Sequence, residues 1–215
     1  NISWISCLKK SRVQQYGWWS KMKYQMGIPD EDFIRGGIPM TKREVRISVL
    51  AEANIKEDSK ILDVGAGTGS ISIEAALLAP KGKVWAIEKE AEGIDLIRQN
   101  SEKFGVENLI SIEGLAPDAM SQVSEELDAV IIGGTGGSLE DILDESGKLL
   151  KSGGKIVVTA VTTGTADRAA RYFIDHKEEY DFWGYQAAYT RLRPVAKHFL
   201  FQALNPVYLF VGTKR

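Results

Sequence analysis

Short β-rich runs alternate with helical stretches through the middle of this 215-residue chain, and that alternation limits the possible folds more than any other feature. The runs are KILDV at 60–64, KVWAIE at 83–88, LISIE at 109–113, DAVII at 128–132 and KIVVTAV at 155–161. Helical patterns fall at 69–79, 91–104, 138–150 and 165–176. Parallel strands need long crossovers, usually helices, and the helices then cover both sheet faces. The last 35 residues change character: YQAAYTRLRPV and HFLFQALNPVYLFVGTK read as two further strands joined by a turn. The expected fold is α/β, a mostly parallel seven-stranded sheet with helices on both faces and an antiparallel C-terminal strand.

Composition narrows the function. With 44% hydrophobic residues the chain can bury a real core as one domain. Its charge, 27 − 29 = −2, gives no generic basic face, so no nucleic-acid partner is expected. One cysteine, Cys7, and two histidines, His176 and His198, supply neither an intrachain disulfide nor a metal site. No apolar run approaches the ~20 residues that cross a bilayer, and none near the start suits a signal peptide. A cytoplasmic protein with no membrane partner is expected. Residues 1–26 differ from the rest, with Trp4, Trp18 and Trp19 among scattered lysines. They read as an N-terminal extension, with Met22 as a possible natural start, or as an arm onto a neighbouring subunit. Residues 27–215 read as a single domain. Within it, Thr41-Lys42-Arg43-Glu44 has the form of a capping box opening a helix that runs to about Ala53.

The chemistry is concentrated after the first strand, at Leu62-Asp63-Val64-Gly65-Ala66-Gly67-Thr68-Gly69. A loop at the carboxyl end of a parallel strand is where such sheets bind ligands. The dinucleotide fingerprint wants glycines at positions 1, 3 and 6. Gly65 and Gly67 comply, but the sixth position is Ser70, and the third glycine comes early, at Gly69. A pyrophosphate cofactor is therefore disfavoured. GxGxG preceded by Asp63 resembles motif I of the Rossmann-like class I methyltransferases, which use S-adenosylmethionine. Glu88 ends the second strand, where a carboxylate accepts hydrogen bonds from ribose hydroxyls. Glu113-Gly114-Leu115-Ala116-Pro117 ends the third, where adenine would lie, and Gly133-Gly134-Thr135-Gly136-Gly137 ends the fourth, beside the expected methyl group. Asn205-Pro206-Val207-Tyr208 is similar to the NPPY motif of nucleic-acid amino-group methyltransferases. It lies near the C-terminus, not after strand four, and lacks the second proline, so it reads as a turn into the last strand.

A more specific resemblance starts at GIPDEDF (27–33) and IPMTKREVR (38–46), and continues through LDVGAGTGSISIE, EGLAP, DAVIIGGTGG, LKSGGKIVVTAV and the terminal NPVY. With these segments the chain resembles the decarboxylating precorrin C15-methyltransferases of cobalamin biosynthesis. The resemblance spans Gly27 to the end, and its N-terminal block is absent from methyltransferases in general. It implies cofactor contacts at Thr41, Gly65, Ala66, Gly67, Thr68, Gly69, Glu88 and Ala116. Family members commonly carry aspartate where this chain has Leu115, which leaves the adenine to backbone groups at Ala116. It implies a tetrapyrrole-derived small-molecule substrate, methylated at C15 and decarboxylated at the C12 acetate, with any cobalt carried by the substrate. Such a polyanion calls for cations, and the substrate candidates are Arg43, Arg46, Arg191 and Arg193 with the small residues Gly133 and Gly134. No covalent nucleophile is required, so no catalytic residue is assigned. A homo-oligomer, a tetramer, is implied as well. An RNA or protein methyltransferase of the same fold is the alternative. The acidic balance opposes RNA, and the N-terminal block opposes both.

Overall fold

The computed structural model describes residues 26–215, so the expectations for the N-terminal tryptophans, Cys7 and Met22 lie outside the described residues. In chain order the elements are α1 (Arg43–Glu52), β1 (Lys60–Val64), α2 (Ser70–Leu78), β2 (Lys83–Glu88), α3 (Ala91–Phe104), β3 (Leu109–Glu113), β4 (Leu127–Ile132), α4 (Leu139–Leu149), β5 (Leu150–Ala160), α5 (Thr163–Asp175), β6 (Tyr180–Ala187), β7 (Thr190–Val195), β8 (His198–Ala203) and β9 (Val207–Lys214). Seven strands form one sheet in the order β3-β2-β1-β4-β5-β9-β6. β1 lies parallel to β2 and β4, and the parallel set is completed by β3 beside β2 and β5 beside β4. β9 runs antiparallel to both its neighbours, β5 and β6. The order reverses between β1 and β4, and ligands of open α/β sheets bind in the crevice at such a switch point.

The central strands read as unbroken apolar runs because helices cover both faces. Leu62, Val64, Val130, Ile132, Ile156 and Val158 pack against α4 and α5 through Leu139, Ile142, Leu143, Ala169 and Phe173. Their neighbours Ile61, Ala129, Ile131 and Val157 face the other way, onto Val45, Val49 and Leu50 of α1 and Ile71 and Ala75 of α2. Every residue of α2 from Ser70 to Ala76 is buried. Such a helix is enclosed on all sides; its Ile73 packs outward against Ile28, Phe33 and Met40 of the N-terminal segment, with Phe104 of α3.

Three local expectations are corrected. The C-terminal region has four strands, not two. β7 and β8 form a separate hairpin, closed by Ala196-Lys197 with Ala196 at φ +50°, and no Asn-Gly pair announced that turn. β5 begins at Leu150, because Ser152-Gly153-Gly154, which looks like a turn, is carried through the strand where its register with β4 shifts. The capping box does not form: the N-cap of α1 is Lys42, without a side-chain cap. The Arg43 N–H donates instead to Asp30 Oδ1 at 2.9 Å, and Glu44 turns to Arg191.

Candidate active site

The β1–α2 loop turns on three glycines in left-handed conformations: Gly65 at φ +72°, Gly67 at +58° and Gly69 at +75°. A Cβ on Gly65 would stand 2.6 Å from the Gly134 backbone, so the ends of β1 and β4 meet main chain to main chain. Gly65 and Ala66 donate their N–H groups to the Ile87 carbonyl at 2.9 and 3.0 Å, folding the loop over β2. Gly67 is thereby brought to Glu88, and its N–H donates to Oε2 at 2.7 Å. The Lys89 and Glu90 N–H groups donate to Oε1 at 2.8 and 3.0 Å. A carboxylate has about four acceptor directions, and these three bonds leave one on the Oε2 side. Glu88 is thus fixed in orientation with acceptor capacity to spare.

Around this carboxylate lies a cleft of about 620 Å³, open to solvent. Its walls are the glycine loop, Ile38-Pro39 of the N-terminal segment, Leu115-Ala116 and the Gly134–Gly136 stretch. Of the residues expected at a cofactor, Gly65, Gly67, Glu88 and Ala116 line the cleft, as does Gly134 from the substrate set. Thr41, Ala66, Thr68, Gly69 and Gly133 are not among its lining residues. The Thr41 carbonyl accepts from Arg46 Nη1 at 2.7 Å. Thr68 is buried, and its hydroxyl has no hydrogen-bond partner in the structure. Gly69 is the N-cap of α2 and packs on Ile97.

Asp63, two residues before the first glycine, sits under the loop and not in the cleft. It is buried, and Ser72 Oγ donates to its Oδ2 at 2.5 Å, tying α2 to the end of β1. Burial pushes its carboxyl up to about 6 from the usual 3.8; the Ser72 bond opposes the shift and the nearby Glu88 charge adds to it. Because the folded state holds this proton more tightly than the unfolded chain, ionising Asp63 costs stability, and the cost grows as pH rises from near 3.8 through about 6. Asp63→Asn removes that titration. Its stability relative to wild type, from urea midpoints, should therefore improve between pH 4 and pH 8 by roughly 2–3 kcal/mol. A pH-independent difference would contradict the assignment.

The arginines divide. Arg46 is fully buried. Its Nε donates to Glu74 Oε1 at 2.6 Å, Nη1 to Asp30 Oδ1 at 3.2 Å and Nη2 to the Ile28 carbonyl at 2.5 Å. No substrate can reach it, and the expectation of a substrate contact there is corrected. Arg191 is engaged by both oxygens of Glu44 and by Asp30 Oδ2, at 2.7–2.8 Å. These bonds hold Glu44 below the ordinary carboxylate range. Burial would raise Asp30, but Arg191 and Arg46 outweigh it and hold Asp30 low too. Arg43 and Arg193 are exposed; Arg43 donates to the Gly27 carbonyl at 2.6 Å. None of the four arginines lines the cleft.

The network around Arg46 anchors the start of a strap, Gly27 to Met40, whose far end at Ile38-Pro39 borders the cleft. Glu74 accepts the Gly27 and Ile28 N–H groups at 2.6 and 3.0 Å. Asn100 clasps Ile34 in both directions, at 2.8 and 3.1 Å, and also donates to the Thr68 carbonyl at 3.1 Å. Gly37 N–H reaches Glu92 Oε1 at 2.5 Å. Ile38 and Pro39 consequently face Gly67.

Sequence reasoning passed over Ile38, Pro39, Lys89 and Gly93. Gly93 had a signal: a glycine in the first turn of a helix, where alanine would be about 1 kcal/mol better. A Cβ there would stand 2.5 Å from Glu88 Cγ and 3.0 Å from the Gly67 carbonyl. Gly93→Ala is expected to displace Glu88 and weaken S-adenosylhomocysteine binding about tenfold or more, the size of a lost charged hydrogen bond. Gly164→Ala, with nothing within 4 Å of its new Cβ, serves as the control. Calorimetric titration checks this, and equal affinities in the two variants would refute it. Among the described residues no group of three or more His, Cys, Asp or Glu could hold a metal ion.

The family model described as a precorrin methyltransferase domain matches residues 31–214. A probable cobalt-precorrin-6B C(15)-methyltransferase (decarboxylating) of Sulfurisphaera tokodaii is 40% identical over 190 residues, which are 87% of this chain and 97% of that protein. The crystal structure of precorrin-6y C5,15-methyltransferase from Geobacter metallireducens superposes with a TM-score of 0.83 at 34% identity, covering 89% of this chain and all of the other. The precorrin 8w decarboxylase of Methanobacterium thermoautotrophicum gives 0.80 at 31% identity, covering 86% and 98%.

Proposed function

Because the chain belongs to the precorrin methyltransferase family, we propose that it is an S-adenosylmethionine-dependent enzyme of cobalamin biosynthesis that methylates C15 of a cobalt-precorrin-6B-type macrocycle and decarboxylates its C12 acetate. The observation that carries this reading is the meeting of two motifs in one cleft. At the far end of the Gly27–Met40 strap, the segment that sets the family apart, Ile38 and Pro39 face Gly67 and line the same cleft as Glu88.

The cleft suits the cofactor. Glu88 has an acceptor direction free for ribose hydroxyls, the glycine loop presents bare backbone, and Ala116 with Leu115 flanks the adenine end. Ala66, Thr68 and Gly69 shape that loop, and Thr41, whose carbonyl accepts from Arg46 Nη1, follows the end of the strap. When bound, S-adenosylmethionine supplies an electrophilic methyl group on a sulfonium whose departing thioether is neutral. The residues of the chain therefore orient and exclude water; no side-chain nucleophile is required. The small residues Gly133 and Gly134 leave room for the acceptor carbon. Arg43 and Arg193, both accessible, are the cations suited to the substrate's carboxylates.

The remaining expectations fit the same reading. Residues 27–215 act as one methyltransferase domain. Alternation along β7 and β8 puts Leu192, Pro194, Phe199 and Phe201 on the hairpin face opposite Arg191. Phe199 and Phe201 are 63% and 81% exposed, an apolar face that monomers seldom leave bare and that supports a homo-oligomer, by resemblance a tetramer. Among the described residues no helix is long and apolar enough to cross a membrane, which accords with work in the cytoplasm on a small molecule. The test offers labelled methyl donor with three acceptors: cobalt-precorrin-6B, bulk transfer RNA and an isoaspartyl peptide. Label is expected in the macrocycle alone. Label in RNA or peptide without label in the macrocycle would overturn the proposal.

A further inference from the structure

The stretch Gly133-Gly134-Thr135-Gly136-Gly137 forms the acceptor-side wall of the cleft through Gly134, Thr135 and Gly136. It follows β4, and four of its five residues have no side chain with which to hold a position. Gly136 and Gly137 both take positive φ, at +55° and +101°. Its first part is fixed by the sheet: the Gly133 and Gly134 N–H groups donate to the Val64 carbonyl at 2.9 and 3.3 Å. Its far end is held by little within itself. The Gly137 N–H reaches the Thr135 hydroxyl at 3.4 Å, and the Ser138 N–H donates to the Thr135 carbonyl at 2.9 Å.

One side chain from elsewhere reaches this end. Arg168 of α5 donates from Nη2 to the Gly137 carbonyl at 2.8 Å. The same guanidinium forks onto Glu140 in the first turn of α4, Nε to Oε1 at 2.8 Å and Nη2 to Oε2. A planar guanidinium gripped at two points has its remaining direction set, so its aim at Gly137 is fixed by Glu140. A Cβ on Gly136 would stand 3.0 Å from Leu115 Cδ1, so this end of the loop lies over Leu115, across the mouth of the cleft.

We propose that Arg168, oriented by Glu140, is a positioning residue for the acceptor side of the site: through Gly137 it sets how far the 133–137 loop stands from Leu115. Neither residue of the pair lines the cleft. Their effect on turnover rests on the cleft being the methyl-transfer site, whereas their effect on the loop does not.

Amide hydrogen exchange on the full-length protein tests it without any substrate. In Arg168→Ala the amides of Gly137 and Ser138 are expected to exchange about tenfold faster, as for loss of one hydrogen bond from a charged donor, while those of Gly133, Gly134, β1 and β5 keep wild-type rates. Glu140→Gln should show a smaller acceleration at the same amides. Arg168→Lys should recover part of the protection, because an ammonium can still donate to the Gly137 carbonyl. In turnover, kcat should fall more than KM for the macrocycle rises. Wild-type exchange at Gly137 and Ser138 in Arg168→Ala would overturn the proposal. Acceleration spread evenly over α4 and α5 would overturn it too, since that marks a surface ion pair that merely stabilises the two helices. If the wild-type enzyme fails to methylate the macrocycle, the functional reading fails and the exchange result still decides this one.

Discussion

Arg46→Leu is expected to cost the fold about 3–5 kcal/mol, the range for breaking a buried ion pair from one side. Arg46 has no exposed surface and answers two carboxylates, Asp30 and Glu74, which are themselves buried. It also satisfies the Ile28 and Thr41 carbonyls and stacks 4.8 Å over the Phe33 ring. Leucine replaces the stem but strands buried Glu74 without its cation and leaves Asp30 with Arg191 alone. For a chain of this size about 2–4 °C accompanies each kcal/mol, so the melting midpoint should drop by roughly 6–20 °C. Adding Glu74→Gln to Arg46→Leu should return part of the loss, because one stranded charge is removed. Arg191→Gln should cost less, since Arg191 is 38% exposed and water can answer what it leaves. Urea unfolding of the three variants is the check. A loss under 1 kcal/mol for Arg46→Leu would mean the strap is not held by this network.

Glu88→Ala is expected to weaken S-adenosylmethionine binding by roughly 1.5–3 kcal/mol, about 10- to 150-fold. Two effects add. The ribose hydroxyls lose a charged acceptor, and the N–H groups of Gly67, Lys89 and Glu90 lose theirs, so the loop keeps its Gly65 and Ala66 bonds to Ile87 but loses its tie at Gly67. Glu88→Gln keeps the shape, but its amide NH2 would confront one of the same N–H donors, so it too should bind less tightly. Calorimetry on folded variants is the measurement. An unchanged dissociation constant in Glu88→Ala would remove Glu88 from the cofactor site.

The sheet was legible because its signals are local. β1, β2 and β3 begin and end where their apolar runs do, and Gly65, Gly67 and Glu88 follow from their place at strand ends. The errors come from partners distant in sequence. Thr41 looked like a helix cap, yet the Arg43 N–H goes to Asp30, thirteen residues before Arg43. Arg46 looked like a ligand for a polyanion because arginine near a functional block suggests one. Its carboxylate partners, Asp30 and Glu74, come from separate segments that only the folded chain brings to it. Gly93 and Ile38 matter through contacts with Glu88 and Gly67 that no periodicity reveals. The β7–β8 hairpin was hidden because its turn uses Ala196 where glycine or asparagine would have marked it.

The central claim, that this cleft couples methylation to decarboxylation, is tested most directly by mass analysis of a single turnover. The purified protein would be given cobalt-precorrin-6B and S-adenosylmethionine with a labelled methyl group, and released carbon dioxide collected. One methyl gained and one carbon dioxide lost per macrocycle is the predicted result. A macrocycle that gains the methyl group and keeps every carboxylate, or that gains none, would contradict it.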